Sequence, residues 1–157
     1  MSLRWLPPLL VVLAACSAPD AGKSITSADP CSVLEDGDAG TLEGTPARSG
    51  QTCDYAFDGL TAKLTLREGV FADESQKLLA EGGSGGVIAG GVGDSNNRPV
   101  TTRCADSSGE VTCDAVLEVR ERQLVTFQVV QRSNDRNMVG QVVQGLAAKA
   151  YERLVTP

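Results

Sequence analysis

The sequence contains no histidine among its 157 residues. This excludes catalytic groups of the Ser-His-Asp and Cys-His kinds, and it excludes zinc sites that need imidazole ligands. The five cysteines include no Cys-x-x-Cys pair, so a zinc site made of four thiolates is not expected either. We therefore predict no metal, no cofactor and no catalytic residue of these kinds.

Aromatic side chains are scarce: the chain has three phenylalanines, two tyrosines and one tryptophan, Trp5. Basic residues are outnumbered, with 14 lysines and arginines against 20 acids and a net charge of −6. Proteins that bind nucleic acid need a concentrated positive surface, and those that bind single strands also stack bases on aromatic rings. Nucleic acid is therefore not expected as a partner.

Several sequence patterns of binding sites are incomplete. The glycine-rich stretches at residues 82–86 and 90–93 lack the Gly-Lys-Ser/Thr ending of a phosphate-binding loop. Acidic stretches beginning at Asp36 and Asp94 are similar to calcium loops, but Ala47 and Ala105 stand where such a loop needs glutamate. Acids are abundant, yet none forms a recognisable pair for glycoside hydrolysis. These patterns indicate turns and close backbone packing.

Residues 6–13 are apolar and follow a short basic start. The run is too short for a membrane-spanning helix, which needs about 20 apolar residues. It leads into Leu13-Ala14-Ala15-Cys16, a sequence typical of bacterial lipoprotein signals. We predict that residues 1–15 are a signal peptide, cut off before Cys16.

The predicted consequence is a lipid on the thiol of Cys16, which holds the protein on the extracytoplasmic face of the cell membrane. An ordinary secretory signal, with Cys16 uninvolved, is the alternative. Removal of residues 1–15 takes away one arginine and no acid, which makes the net charge one unit more negative. Acyl chains, rather than attraction to anionic lipid, would therefore provide the attachment.

The mature chain has the length of one domain. Residues 16–28 are rich in Ser, Ala, Pro, Asp and Gly, which predicts a flexible tether. We place a single folded domain at residues 29–157. Outside the cytoplasm, four cysteines besides Cys16 predict two disulfide bonds, for which three pairings are possible.

Residues 53–66 predict a β-hairpin, because Asp58-Gly59 is the preferred dipeptide of a type I′ turn. On either side of this turn, apolar and polar residues alternate, as in a sheet with one buried face. The turn predicts three cross-strand pairs: Phe57 with Leu60, Tyr55 with Ala62, and Cys53 with Leu64.

Residues 100–119 predict a second hairpin, with its turn at Ser108-Gly109. This turn places Cys104 directly opposite Cys113, at a distance that suits a disulfide bond. The Cys104–Cys113 pairing leaves Cys31 to pair with Cys53.

Residues 124–131 predict a further strand after a three-residue turn at residues 121–123, with Val125 opposite Val119 and Phe127 opposite Leu117. Residues 73–81 predict a short helix, and residues 82–93 a loop followed by a weak strand. An apolar stripe from Met138 to Leu154, capped by Asn134 or Asp135, predicts a long final helix.

These elements predict an α+β fold: a twisted, mainly antiparallel sheet packed by a long C-terminal helix and one or two short helices. We expect the helices on one face of the sheet.

Three short motifs resemble those of a family of small actinobacterial lipoproteins known as a domain of unknown function. They are Asp-Pro-Cys at residues 29–31, Cys-x-aromatic at residues 53–55 and Gly-x-Gly-Asp at residues 91–94, followed by an amphipathic helix. Tyr55 stands where the family commonly has tryptophan, and the Cys104 and Cys113 pair is an addition. The resemblance implies an exported lipoprotein with Cys31 bonded to Cys53, and it implies no catalytic residue.

The sequence favours a non-enzymatic lipoprotein of the cell envelope. Its partners would be the membrane, through the lipid on Cys16, and an unidentified envelope protein or small ligand. Two alternatives stay open: a carboxylate-dependent cell-wall hydrolase, and a carrier of a lipid or other hydrophobic ligand. A hydrophobic carrier would need a cavity between sheet and helix.

Overall fold

The computed structural model describes residues 23–88 and 97–155. The predicted signal peptide, Cys16, the Gly-x-Gly-Asp motif and Asp94, where the second acidic stretch begins, lie outside the described residues. The strands are β1 (Ala47–Ser49), β2 (Thr52–Phe57), β3 (Leu60–Glu68), β4 (Ser84–Ile88), β5 (Arg98–Ser107), β6 (Glu110–Arg120) and β7 (Gln123–Arg132). The helices are α1 (Phe71–Ala80) and α2 (Arg136–Val155), and two single 3₁₀ turns span Ile25–Ser27 and Pro30–Ser32.

The strands form one seven-stranded antiparallel sheet in the order β1-β2-β3-β7-β6-β5-β4. The predicted α+β class is therefore confirmed. Residues 82–93 were predicted as a loop followed by a weak strand; the strand, β4, begins earlier, inside the first glycine-rich stretch. Strand β1 and a bridge between Leu42 and Phe57 extend the sheet beyond the first hairpin.

The β2–β3 hairpin has the predicted cross-strand pairs. Its turn differs from the prediction, because only Gly59 has a positive φ, of 76°, whereas a type I′ turn needs positive φ at both central residues. The N–H of Asp58 donates to the carbonyl of Thr41 at 3.0 Å, which ties this residue to the preceding loop. The β5–β6 hairpin has the type I′ pattern instead, with φ of 54° at Ser108 and 77° at Gly109.

The predicted register between β6 and β7 is wrong by two residues. Val125 lies opposite Leu117, and Phe127 lies opposite Ala115. A β-bulge near Val119 and a turn with positive φ at Arg122 shorten the connection. Because side chains alternate with a period of two, the shift keeps the same residues on the buried face.

Helix α2 covers one face of the sheet, over β4 to β7. Asp135 caps it, since its carboxylate accepts hydrogen bonds from the N–H groups of Asn137 and Met138 at 3.0 and 3.1 Å. The predicted apolar stripe is largely confirmed: Val139, Val143, Leu146, Ala147, Ala150 and Tyr151 are buried, while Met138 is exposed.

Helix α1 packs on the opposite face, so the expectation that all helices share one face is wrong. Thr101 and Val116 point away from α2 but are buried. The hydroxyls of Ser75 in α1 and Thr101 in β5 form a hydrogen bond of 2.6 Å. The second face of the sheet also carries some apolar residues, and α1 buries them.

The predicted tether, residues 16–28, overlaps the folded domain. Ile25 is 2% exposed and contributes to the core. The N–H of Ile25 donates to the side-chain oxygen of Gln123 at 2.9 Å, and Arg120 donates to the carbonyl of Lys23 at 2.9 Å. The domain therefore begins before residue 29, because one isolated apolar residue in a polar stretch finds a place on the sheet.

Arg153, in the last turn of α2, joins the helix to this N-terminal segment. It donates to the carbonyl of Val33 at 2.8 Å and to both carboxylate oxygens of Asp38, one of them at 2.9 Å. The Asp38 side chain is 5% exposed. Burial pushes the pKa of Asp38 upward, but hydrogen bonds from Arg153 and from the Glu35 N–H outweigh it, so its pKa lies below the ordinary 3.8.

We expect Asp38→Asn to lower the free energy of unfolding at neutral pH by about 1–3 kcal/mol, because it weakens these charged hydrogen bonds. A depressed folded-state pKa adds stability above the unfolded value near 3.8, and this part is lost as the pH falls through the folded value. Urea denaturation from neutral to acidic pH measures both effects. The control is Asp58→Asn, at an exposed turn. A wild-type advantage over Asp38→Asn that persists undiminished in acid would contradict this assignment.

Candidate functional site

The four predicted disulfide cysteines form two bonds. Cys31 is bonded to Cys53 with a Cα–Cα distance of 5.2 Å, and Cys104 to Cys113 with 4.1 Å. The predicted disulfide bonds are confirmed. Within residues 23–88 and 97–155, every cysteine is thereby bonded, and none carries a free thiol.

The Cys31–Cys53 bond belongs to a tightly hydrogen-bonded segment. The Asp29 carboxylate accepts from the Cys31 N–H at 2.9 Å. The Tyr55 hydroxyl accepts from the Leu34 N–H at 3.2 Å and donates to the Pro30 carbonyl. Burial raises the pKa of Tyr55 above the ordinary 10.0, so the hydroxyl stays protonated and keeps donating. The Asp-Pro-Cys motif therefore has a structural role: it fixes residues 29–34 on the sheet.

The Cys104–Cys113 bond lies beside an open cleft between β4, β5 and the first three turns of α2. We call it the polar cleft; its volume is about 570 Å³. Helix and strand approach closely here, since a Cβ at Gly140 would lie 3.7 Å from the Cys104 sulfur. Its lining is dominated by amide and hydroxyl groups: Ser84, Thr102, Asn137, Gln141 and Gln144.

Thr102 gives the polar cleft an unpaired hydrogen-bonding group. The residue is 9% exposed, and its hydroxyl oxygen has no hydrogen-bond partner among the described residues. Buried polar groups are nearly always paired, so an unpaired one stands out. The neighbouring Thr101 hydroxyl, by contrast, is paired with Ser75.

Of the described residues that line the polar cleft, Arg136 is the only charged one. Its guanidinium pairs with the Asp106 carboxylate at 3.2 Å, and both side chains are largely exposed. An exposed pair of this kind is worth little energetically, so Arg136 can exchange Asp106 for another anion at small cost.

A second groove lies on the other face of the sheet, between α1 and strands β3, β6 and β7, with a volume of about 350 Å³. Its charges pair with one another. Glu74 accepts from Lys77 at 2.9 Å and from Arg67 at 3.2 Å. The hydrogen bond from Lys77 is the main reason that the pKa of Glu74 is lowered. This groove therefore offers a ligand fewer unsatisfied groups than the polar cleft.

The part of the chain that the structure describes contains no cluster of three or more acidic or cysteine residues placed to hold a metal ion. Neither α1 nor α2 is long and apolar enough to cross a membrane. Comparison with protein-family models, curated proteins and solved structures gives no significant match. The resemblance to small actinobacterial lipoproteins stays a prediction.

Gln141 and Gln144 are polar residues between the apolar positions of the last helix, so the sequence predicts them on its solvent side and gives no link to Thr102. Gly140 is the one sequence signal for the approach of α2 to β5 beside the cleft, because a glycine inside a helix often marks a close approach. The cleft itself depends on strands and a helix that lie far apart in the sequence.

Thr102→Val should raise the free energy of unfolding by about 1 kcal/mol, because a methyl group replaces a hydroxyl that is buried without a partner. Thr101→Val is the matched comparison and should lower it by about 1–3 kcal/mol, because it leaves the Ser75 hydroxyl unpaired. Thermal and urea denaturation of the two variants measure the difference. Equal destabilisation by both would mean that the Thr102 hydroxyl has a partner.

Proposed function

We propose that the chain is a lipoprotein, held by lipid on Cys16 at the extracytoplasmic face of the cell membrane, and that its domain binds a protein or small ligand there. The observation that carries the proposal is the sequence Leu13-Ala14-Ala15-Cys16 directly after a short apolar run. Two disulfide bonds support it, since such bonds persist in oxidising compartments outside the cytoplasm.

The packing of Ile25 limits how far the domain can lie from its lipid. Ile25 is nine positions after Cys16 along the chain, and an extended chain spans at most about 30 Å over that length. The domain would therefore work close to the membrane surface. The net charge is −6 for the full chain and one unit more negative without residues 1–15, which gives no attraction to anionic lipid, so attachment falls to the acyl chains.

The packing between the sheet and α2 favours a binding function over transport of a hydrophobic ligand. Val139, Val143, Leu146 and Ala147 are fully buried between helix and sheet, so side chains fill the space that a carrier would leave open. The polar cleft lies beside this packed interface, is lined mainly by polar side chains, and includes the buried Thr102 hydroxyl, which has no partner among the described residues.

Ion pairs also favour binding over carboxylate-dependent hydrolysis. Three acids near the polar cleft and the second groove are engaged: Asp106 with Arg136, Glu74 with Lys77, and Asp114 with Arg103. A catalytic acid needs a raised pKa, whereas the pKa of Glu74 is lowered.

Cys16→Ala should move the protein from the membrane fraction to the soluble fraction, because the thiol that accepts the lipid is gone. Ser17→Ala is the control, and it should leave the protein in the membrane fraction. Cell fractionation with mass measurement of the mature chain detects both location and acylation. A Cys16→Ala protein with unchanged fractionation and mass would contradict the proposed attachment.

A further inference from the structure

Strand β4 forms one edge of the sheet, and within the described residues no strand pairs with its outer side. It carries no charge and no proline, its second and third residues are Gly85 and Gly86, and Val87 is 64% exposed. Folded proteins usually block such edges with charges, prolines or short strands. The opposite edge of the sheet is protected in this way, since its strand β1 has three residues, one of which is the charged Arg48.

The disulfide bond between β5 and β6 reveals which backbone groups of β4 face outward. A Cα–Cα distance of 4.1 Å marks Cys104 and Cys113 as a narrow pair, whose N–H and C=O groups point away from each other. Cys104, and with it every second residue of β5, therefore points its backbone groups toward β4. Thr102 has this orientation. Its carbonyl oxygen lies on the β4 side, since it would be only 3.0 Å from a Cβ placed on Gly83, the residue before β4.

The register then assigns Ser84, Gly86 and Ile88 to hydrogen bonds with β5, while Gly85 and Val87 point their N–H and C=O groups to the open edge. Pro99, which has no N–H, lies opposite Val87, a position that needs no donor toward β4. Two outward donors and two outward acceptors are the pattern that an added strand pairs with.

The two faces of this edge differ in chemistry. Ser84 lines the polar cleft on the α2 side, and Gly86 lies on the same side of the strand, where an added Cβ would meet only Val100, at 3.9 Å. Val87 lies on the other side and is exposed. A strand added to β4 would therefore place alternate side chains in the polar cleft and beside Val87.

We propose that the β4 edge binds an extended peptide segment by strand addition, with an acidic side chain in the polar cleft and an apolar side chain beside Val87. The inference rests on the proposed binding function and names its partner class. Among the described residues, Arg136 is the only charged one in the cleft lining, and its positive charge favours a carboxylate there. The unpaired Thr102 hydroxyl adds a polar group to the same cleft.

The probe is a blocked seven-residue peptide of alternating valine and glutamate, and its control has lysine in place of glutamate. Fluorescence anisotropy with the full-length chain in mild detergent measures the affinity. Gly85→Pro removes one outward N–H without touching a bond to β5, and it should weaken binding about tenfold. Gly85→Ala is the matched variant, since it keeps the N–H and its Cβ meets nothing within 4 Å. It should bind several-fold more tightly than Gly85→Pro.

Arg136→Gln tests the cleft separately. It should weaken binding of the glutamate peptide several-fold and have no such effect on the lysine peptide. No binding of the glutamate peptide, or equal binding by Gly85→Pro and Gly85→Ala, would overturn the proposal. So would a dimer, seen by sedimentation, that forms through β4 in place of peptide binding. Fractionation of Cys16→Ala tests membrane attachment alone. A failure of the proposed lipid anchor can therefore be distinguished from a failure of the proposed peptide binding at β4.

Discussion

A seven-stranded sheet is too wide for one helix, and the rest of the structure follows from this constraint. Six strand spacings make about 29 Å, whereas a helix with its side chains is about 10 Å across. Helix α2 covers β4 to β7, and the N-terminal segment from Ile25 to Leu34 covers β2 and β3. Arg153 links α2 to this N-terminal segment through hydrogen bonds to Val33 and Asp38, and the Cys31–Cys53 bond fixes the segment to the sheet. One face of the sheet is closed in this way, but the β4 edge is left open.

Local sequence signals were enough to predict the hairpins. Dipeptide turns at residues 58–59 and 108–109, with alternation on both sides, set the strand pairs, and these in turn set the cysteine pairing. The register across β6 and β7 was not predictable in this way, because a bulge near Val119 depends on how the two strands twist together. Ile25 was missed for a different reason: a single apolar residue has no periodicity, and only the finished sheet gives it a place.

The polar cleft and the open edge arise from tertiary structure and have weak sequence signals. The cleft joins Thr102 to Gln141 and Gln144, which belong to elements without any local relation. The orientation of the β4 backbone follows from the register of β5 on β6, which the Cys104–Cys113 bond holds. That disulfide thus lies beside the cleft and holds the register that orients the backbone groups of the edge. A short link to Cys16 would hold both near a membrane.

Amide hydrogen exchange along β4 in the full-length chain tests most directly whether this edge is open. The register predicts alternation: the N–H groups of Gly86 and Ile88 are protected by β5, while those of Gly85 and Val87 exchange with little protection. Uniform protection of all four amides would contradict the account, because it would mean that another part of the chain or a second copy already occupies the edge.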